Sequence, residues 1–149
     1  MIDMNKHVLV TLTVVLFIAY AAPAVFPAPG TITFQIPMEL KDIHPDLQEW
    51  RVLVQVTYLV PTQGIAINGS AIQPFSIKNG TFNQMLNIVV NVPDMSKAEM
   101  YSIQLEIKDP TNGMWLSAKK LFNKYPKYAL APAKPFVWQL DQQKIHRRK

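Results

Sequence analysis

Apolar and polar residues alternate through most of the chain beyond residue 30. Ile32, Phe34 and Ile36 alternate with Thr31, Thr33 and Gln35, the period of two that divides a β-strand between its two faces. Pro37 interrupts this run. The longest stretch follows: Trp50, Val52, Val54, Val56, Tyr58 and Val60 share one face, and Arg51, Leu53, Gln55, Thr57 and Leu59 the other. Its mixed second face predicts a central strand partly covered on both sides, stopped by Pro61. Leu86, Ile88, Val90 and Val92 mark another strand. Tyr101, Ile103, Leu105 and Ile107 then alternate with Ser102, Gln104, Glu106 and Lys108 as a half-buried one. Between 38 and 49 the chain is acidic. His44-Pro45 predicts a loop with at most one helical turn, because a residue before proline is pushed out of the helical region.

Three Asn-Gly pairs punctuate these runs: Asn68-Gly69, Asn79-Gly80 and Asn112-Gly113. Asn-Gly suits the two-residue turn in which both central residues take positive φ, so each pair predicts a hairpin. The implied pairings are 64–67 with 71–77, 75–78 with 81–92, and 101–108 with 114–121. The first two compete for residues, so one of these pairs belongs in a looser turn. After Phe122 the texture changes. Tyr125-Pro126, Ala131-Pro132 and Lys134-Pro135 give an extended segment, Phe136, Trp138 and Leu140 alternate once more as a possible last strand at 136–140, and residues 142–149 read as a loose end.

The N-terminus departs from this pattern. A short charged head, residues 1–6, precedes an almost wholly apolar run at 8–22, and Pro23, Pro27 and Pro29 end it. That is the layout of a secretory signal peptide. About fifteen residues fall short of the roughly twenty that a membrane-crossing helix needs, which favours cleavage near Ala22 or Val25 over a retained anchor. The expected organisation is a signal peptide (or anchor) at 1–24, a β domain at 25–122 and a proline-punctuated basic arm at 123–149.

The run Asp94-Met95-Ser96-Lys97-Ala98-Glu99-Met100-Tyr101, leading into an alternating strand, resembles the tyrosine corner of immunoglobulin-like and fibronectin-type sandwiches. The resemblance implies that Tyr101 pins a crossover by bonding back to upstream backbone, and that Trp50 is a core tryptophan. The cysteine pair of antibody domains is missing. The expected fold is therefore all-β, an antiparallel β-sandwich of immunoglobulin-like layout after an N-terminal signal helix. Trp50, Tyr101, Gly69, Gly80 and Gly113 are its structural residues. Such folds carry many unrelated functions.

Composition narrows the setting. The 149 residues contain no cysteine, so neither a disulfide nor a cysteine metal site is available. Removal of the leader leaves about 128 residues, enough for one domain held by its core alone. An exported domain without disulfides points to a bacterial envelope or secreted fraction more than to a eukaryotic extracellular protein. The net charge of +5 is uneven. Between 22 and 107 the basic residues Lys41, Arg51, Lys78 and Lys97 are outnumbered by carboxylates, whereas from Lys108 onward basic residues face only Asp109 and Asp141. Such a tail either meets an anionic partner or is simply solvated.

Candidate chemistry is sparse. His7, His44 and His146 lack ligand spacing. Asp42, His44 and Asp46 read as a solvated acidic loop, and the scattered methionines as core filler, so neither metal nor cofactor is expected. No nucleophile elbow or phosphate loop occurs. Asn68-Gly69-Ser70 and Asn79-Gly80-Thr81 match the glycosylation pattern, although turn geometry explains them as well. Aromatic residues interleaved with lysines are the candidate partner- or glycan-binding set: Trp115, Lys124, Tyr125, Lys127, Tyr128, Lys134, Phe136 and Trp138. The expected function is a non-catalytic interaction module that binds another protein or an envelope polymer, with an anionic surface as a possible target. Nucleic acid is not an expected partner, and a membrane is met only through the N-terminal segment. A glycan-binding module and a small enzyme with a hidden site are the alternatives.

Overall fold

The computed structural model describes residues 15–18, 28–128 and 139–145. They form a mainly β structure of two antiparallel sheets with one short helix. The first sheet has the order β1-β2-β5, from Val15–Ile18, Gly30–Leu40 and Phe82–Val92. The second has the order β4-β3-β6, from Gly64–Ser76, Glu49–Val60 and Met100–Lys108. Two short strands share the far edge of β6: β7 (Trp115–Ser117) against its end and β8 (Gln139–Lys144) against its start. The helix α1 (Ala118–Lys124) follows β7 directly.

The alternation read from the sequence decides which residues meet between the layers. Trp50, Val52, Val54 and Val56 of β3 are fully buried, as are Ile32, Phe34 and Ile36 of β2. With Val90 and Ile107 they belong to one apolar core that draws on both sheets. Trp50 donates its indole N–H to the Leu47 carbonyl at 2.7 Å, so its polar atom is satisfied inside the core. Tyr101 sits at the start of β6 with its ring 5.3 Å from that of Phe34, and burial pushes its hydroxyl above the usual tyrosine range. Among the described residues no upstream backbone group is bonded to that hydroxyl, unlike the corner that the resemblance implied.

Several elements differ from the sequence reading. A helix was expected over 8–22, yet Val15–Ile18 is a strand paired with β2. β-branched and aromatic residues favour an extended chain, and the edge of β2 offers the backbone partners. The rest of the 1–24 segment lies outside the described residues. β2 runs through Pro37 to Leu40; Pro37 stays in register with Met85 of β5 and lies beyond the described pairing with β1, which spans Ile32 to Gln35, and proline within sheets is tolerated where its missing N–H is not needed by a ladder. Residues 118–121 are helical rather than strand: the Ser117 hydroxyl accepts from Lys120 N–H and caps α1, so the β6–β7 hairpin has only three pairs. The expected strand at 136–140 is seen from Gln139 and runs on to Lys144, with 136–138 outside the described residues, and Ile145, expected to be loose, donates its N–H to the Glu99 carbonyl at 2.8 Å. The boundary at 122/123 falls inside α1.

The three Asn-Gly pairs separate. Asn79 and Gly80 both have positive φ (52° and 70°), the turn that the pair predicts, but it carries the chain from one sheet to the other with a single bridge between Lys78 and Thr81. Asn112-Gly113 lies in the β6–β7 hairpin, with Gly113 at φ 74°. Asn68-Gly69 is no turn at all. β4 continues straight through it, and the β3–β4 turn lies earlier, at 61–63. Gly69 is needed for a different reason: a Cβ there would collide with the Asn91 carbonyl oxygen of β5. The Asn91 carbonyl is backbone and cannot swing aside, and the Val90 side chain is also close, at 3.2 Å from that Cβ. Gly69→Ala should therefore cost about 1–3 kcal/mol, read as a lowered urea midpoint with an unchanged slope.

Candidate interaction surface

Asn68 is the extra residue of a β-bulge. Val56 pairs with Gly69 and Thr57 with Ile67, so Asn68 has no partner of its own. A bulge places two residues opposite one and shifts the alternation beyond it. Here the shift aligns Ile65 and Ile67 with Ile72 on the outer face, whereas an unbroken alternation would have turned them inward. Asn68 itself is buried, and its side-chain amide donates to the Asp94 carbonyl at 2.7 Å. That bond holds the bulge against the β5–β6 connection and uses the nitrogen that glycosylation would need. Asn79, by contrast, is exposed.

The result is an apolar stripe on the outer face of the second sheet. Ile65 stands opposite Leu59 and Ile72 opposite Leu53. Leu59, Ile65, Ile67 and Ile72 retain 59%, 52%, 59% and 53% of their surface in solvent. Farther across the same face, Arg51 donates to the Glu106 carboxylate at 2.6 Å and lies 4.5 Å over the Trp115 ring. Trp115, expected to stack on a ligand, thus has one ring face occupied by Arg51. A shallow cleft of about 220 Å³ beside it is lined by Gln104, Glu106, Trp115 and Lys120 among others.

Lys124, Tyr125, Lys127 and Tyr128 collect elsewhere, at the end of the molecule beneath the β6–β7 turn. Their centre is Asp109, which is fully buried. One carboxylate oxygen accepts from Thr111 N–H (2.9 Å) and hydroxyl (2.6 Å); the other accepts from Lys124 Nζ (2.8 Å) and the Tyr125 hydroxyl (3.2 Å). Burial opposes ionisation, but the bonds from Lys124, Thr111 and Tyr125 outweigh it and hold the carboxyl well below the usual range. Lys124 is correspondingly raised, chiefly by its bond to Asp109. With both oxygens doubly bonded, Asp109 is a fastener rather than a base. Tyr128 is buried, donates to Asp46 at 3.0 Å and packs edge-on against His44. Lys127 lies 4.6 Å over its ring. These residues dock the C-terminal segment onto the domain, rather than standing free as a binding arm. A cleft of about 700 Å³ opens alongside, bounded by Asp46, Glu49, Lys108, Thr111 and Lys127 among others.

Lys134, Phe136 and Trp138 lie outside the described residues. Among the described residues no three His, Asp or Glu side chains gather as a cation site: Asp46 is taken by Tyr128, and the His44 Nδ1 accepts from Asp46 N–H at 3.2 Å. The apolar stripe escaped the sequence reading because Asn68-Gly69 was read as a turn. The available signal was the break in phase between Ile65, Ile67 and Ile72, since an odd-to-even shift within one strand marks a bulge. No family model matches the chain, and no curated protein or solved structure matches it either.

The Asp109 cluster fixes a pH dependence. A folded-state value below the unfolded one, about 3.9, contributes stability that is present above that pH and is lost as pH falls through the folded value. Asp109→Asn should lower stability at pH 7. Its difference from wild type should narrow steadily below about pH 4, as measured by urea unfolding across pH.

Proposed function

We propose that this chain is an exported, non-catalytic interaction module of a bacterial cell envelope, an accessory or structural subunit that binds another protein. The observation carrying this reading is the stripe of Leu59, Ile65, Ile67 and Ile72, four large apolar side chains left in solvent on adjacent strands. Large apolar side chains grouped in solvent in this way mark interaction sites; here Leu59, Ile65 and Ile67 cluster at one end and Ile72 lies beyond the Gln55–Ser70 pair. Arg51 and Trp115 flank it on the same face, and both residue types are enriched where binding energy concentrates. The exposed Lys119 and Lys120 supply positive charge on α1, with Lys120 lining the cleft beside Trp115.

The strand order supports an immunoglobulin-like sandwich as the scaffold. In those domains strands A, B and E share one sheet and C, F and G the other, with C′ added beside C in the variable type. β1, β2 and β5 take the first set of places, β3, β6 and β8 the second, and β4 that of C′. Export rests on the charged head, apolar run and prolines of residues 1–29.

Ile65→Asp with Ile67→Asp is the test. Recovery of the native partner on the tagged protein should fall at least tenfold, while stability stays within about 0.5 kcal/mol of wild type, as for exposed positions. Undiminished recovery would remove the stripe, and with it the ground for the reading.

A further inference from the structure

β2 is the one strand of the first sheet with partners on both sides, and the two sides are unequal. Towards β5 every residue from Gly30 to Leu40 is paired. On the other edge, among the described residues, the cover is Val15–Ile18, which pairs with Ile32 to Gln35 in antiparallel register. Leu16 stands opposite Phe34 and Ile18 opposite Ile32, two residues with no exposed surface. The covering strand is drawn from the most apolar run in the sequence, the same run that the export reading removes. Cleavage near Ala22 or Val25 would free the N–H and C=O groups of this edge beside the most deeply buried part of the core. Pro37 bounds the opened stretch on its far side.

We propose that this edge of β2 is a strand-accepting groove, filled in the processed protein by an extended segment of a partner subunit with apolar residues at alternate positions. β1 is the stand-in for that segment: it shows the direction, the register and the two positions, those of Leu16 and Ile18, where apolar residues are required. Main-chain bonds supply the affinity and alternate side chains the selectivity, as in other strand additions. A second copy of the chain would lose residues 15–18 to the same processing and could not donate this segment, so the occupant we assign is a strand of a different protein. The inference rests on the exported-module reading and names how its partner docks.

The test uses the full chain. Because the chain has no cysteine, Leu16→Cys with Phe34→Cys gives one disulfide that locks β1 in place; Leu16→Asp with Ile18→Asp releases it. The probe is a labelled synthetic peptide of residues 11–20 carrying a solubilising lysine tail. The released chain should bind the peptide at least tenfold more tightly than the locked chain, and amide exchange at Ile32 to Gln35 should speed up on release and slow again with peptide. A released chain that keeps its β2–β5 protection yet binds no better than the locked one overturns the groove. Should the released variant not fold, wild type replaces it: slow peptide uptake by wild type and none by the locked chain supports the groove, and equal uptake by both overturns it. Failure here with Ile65- and Ile67-dependent partner recovery intact removes the groove alone; failure of that recovery removes the parent reading.

Discussion

The structure depends on β3. It is paired along most of its length with β4 on one side and β6 on the other, and its inner row of Trp50, Val52, Val54 and Val56 is fully buried. Without a disulfide, that row must do the work that a covalent bridge does in many sandwiches. Fully burying aliphatic and aromatic side chains of this size is worth about 1.5–3 kcal/mol each. Truncating Trp50 would also strand the Leu47 carbonyl that its indole satisfies. The outer face of the same strand then has freedom to carry something else: Arg51 reaches Glu106 and Trp115, and Leu59 joins the exposed stripe.

The strands were legible because each has an apolar face and a polar one, and a period of two needs no knowledge of the partner. Ile32, Phe34 and Ile36, or Ile103, Leu105 and Ile107, announce their burial from spacing alone. Asn68-Gly69 was misread because the dipeptide has two uses. Positive φ at a turn and bare backbone at a close crossing both select glycine, and only the approach of Asn91 separates them. The helix at 118–124 was hidden for a similar reason. Ser117 is an effective cap, but a helix of seven residues, about two turns, leaves little periodicity to detect. Least visible of all was Asp109, whose local partner is Thr111 and whose partners Lys124 and Tyr125 meet it only after the chain has turned back.

That cluster changes the meaning of the basic, aromatic C-terminal segment. Lysine interleaved with tyrosine looks like a surface for anions. In the fold, Lys124 and Tyr125 close on one buried carboxylate, and Tyr128 closes on Asp46. Positive charge near the C-terminus is thus partly neutralised within the fold, while the outer face of β3 and β4 keeps large apolar side chains in solvent.

The pairing pattern also sets how the chain assembles. Only β3–β4 and β6–β7 join neighbours through short turns; the ladders β2–β5, β3–β6 and β6–β8 bring together residues tens of positions apart. Such contact order delays folding, since loop entropy is spent before any distant contact repays it. The long β3–β4 hairpin is the most extensive ladder closed by a short turn. The edge strand it presents meanwhile is β4, whose bulge and Pro74 make it a poor template for a second molecule.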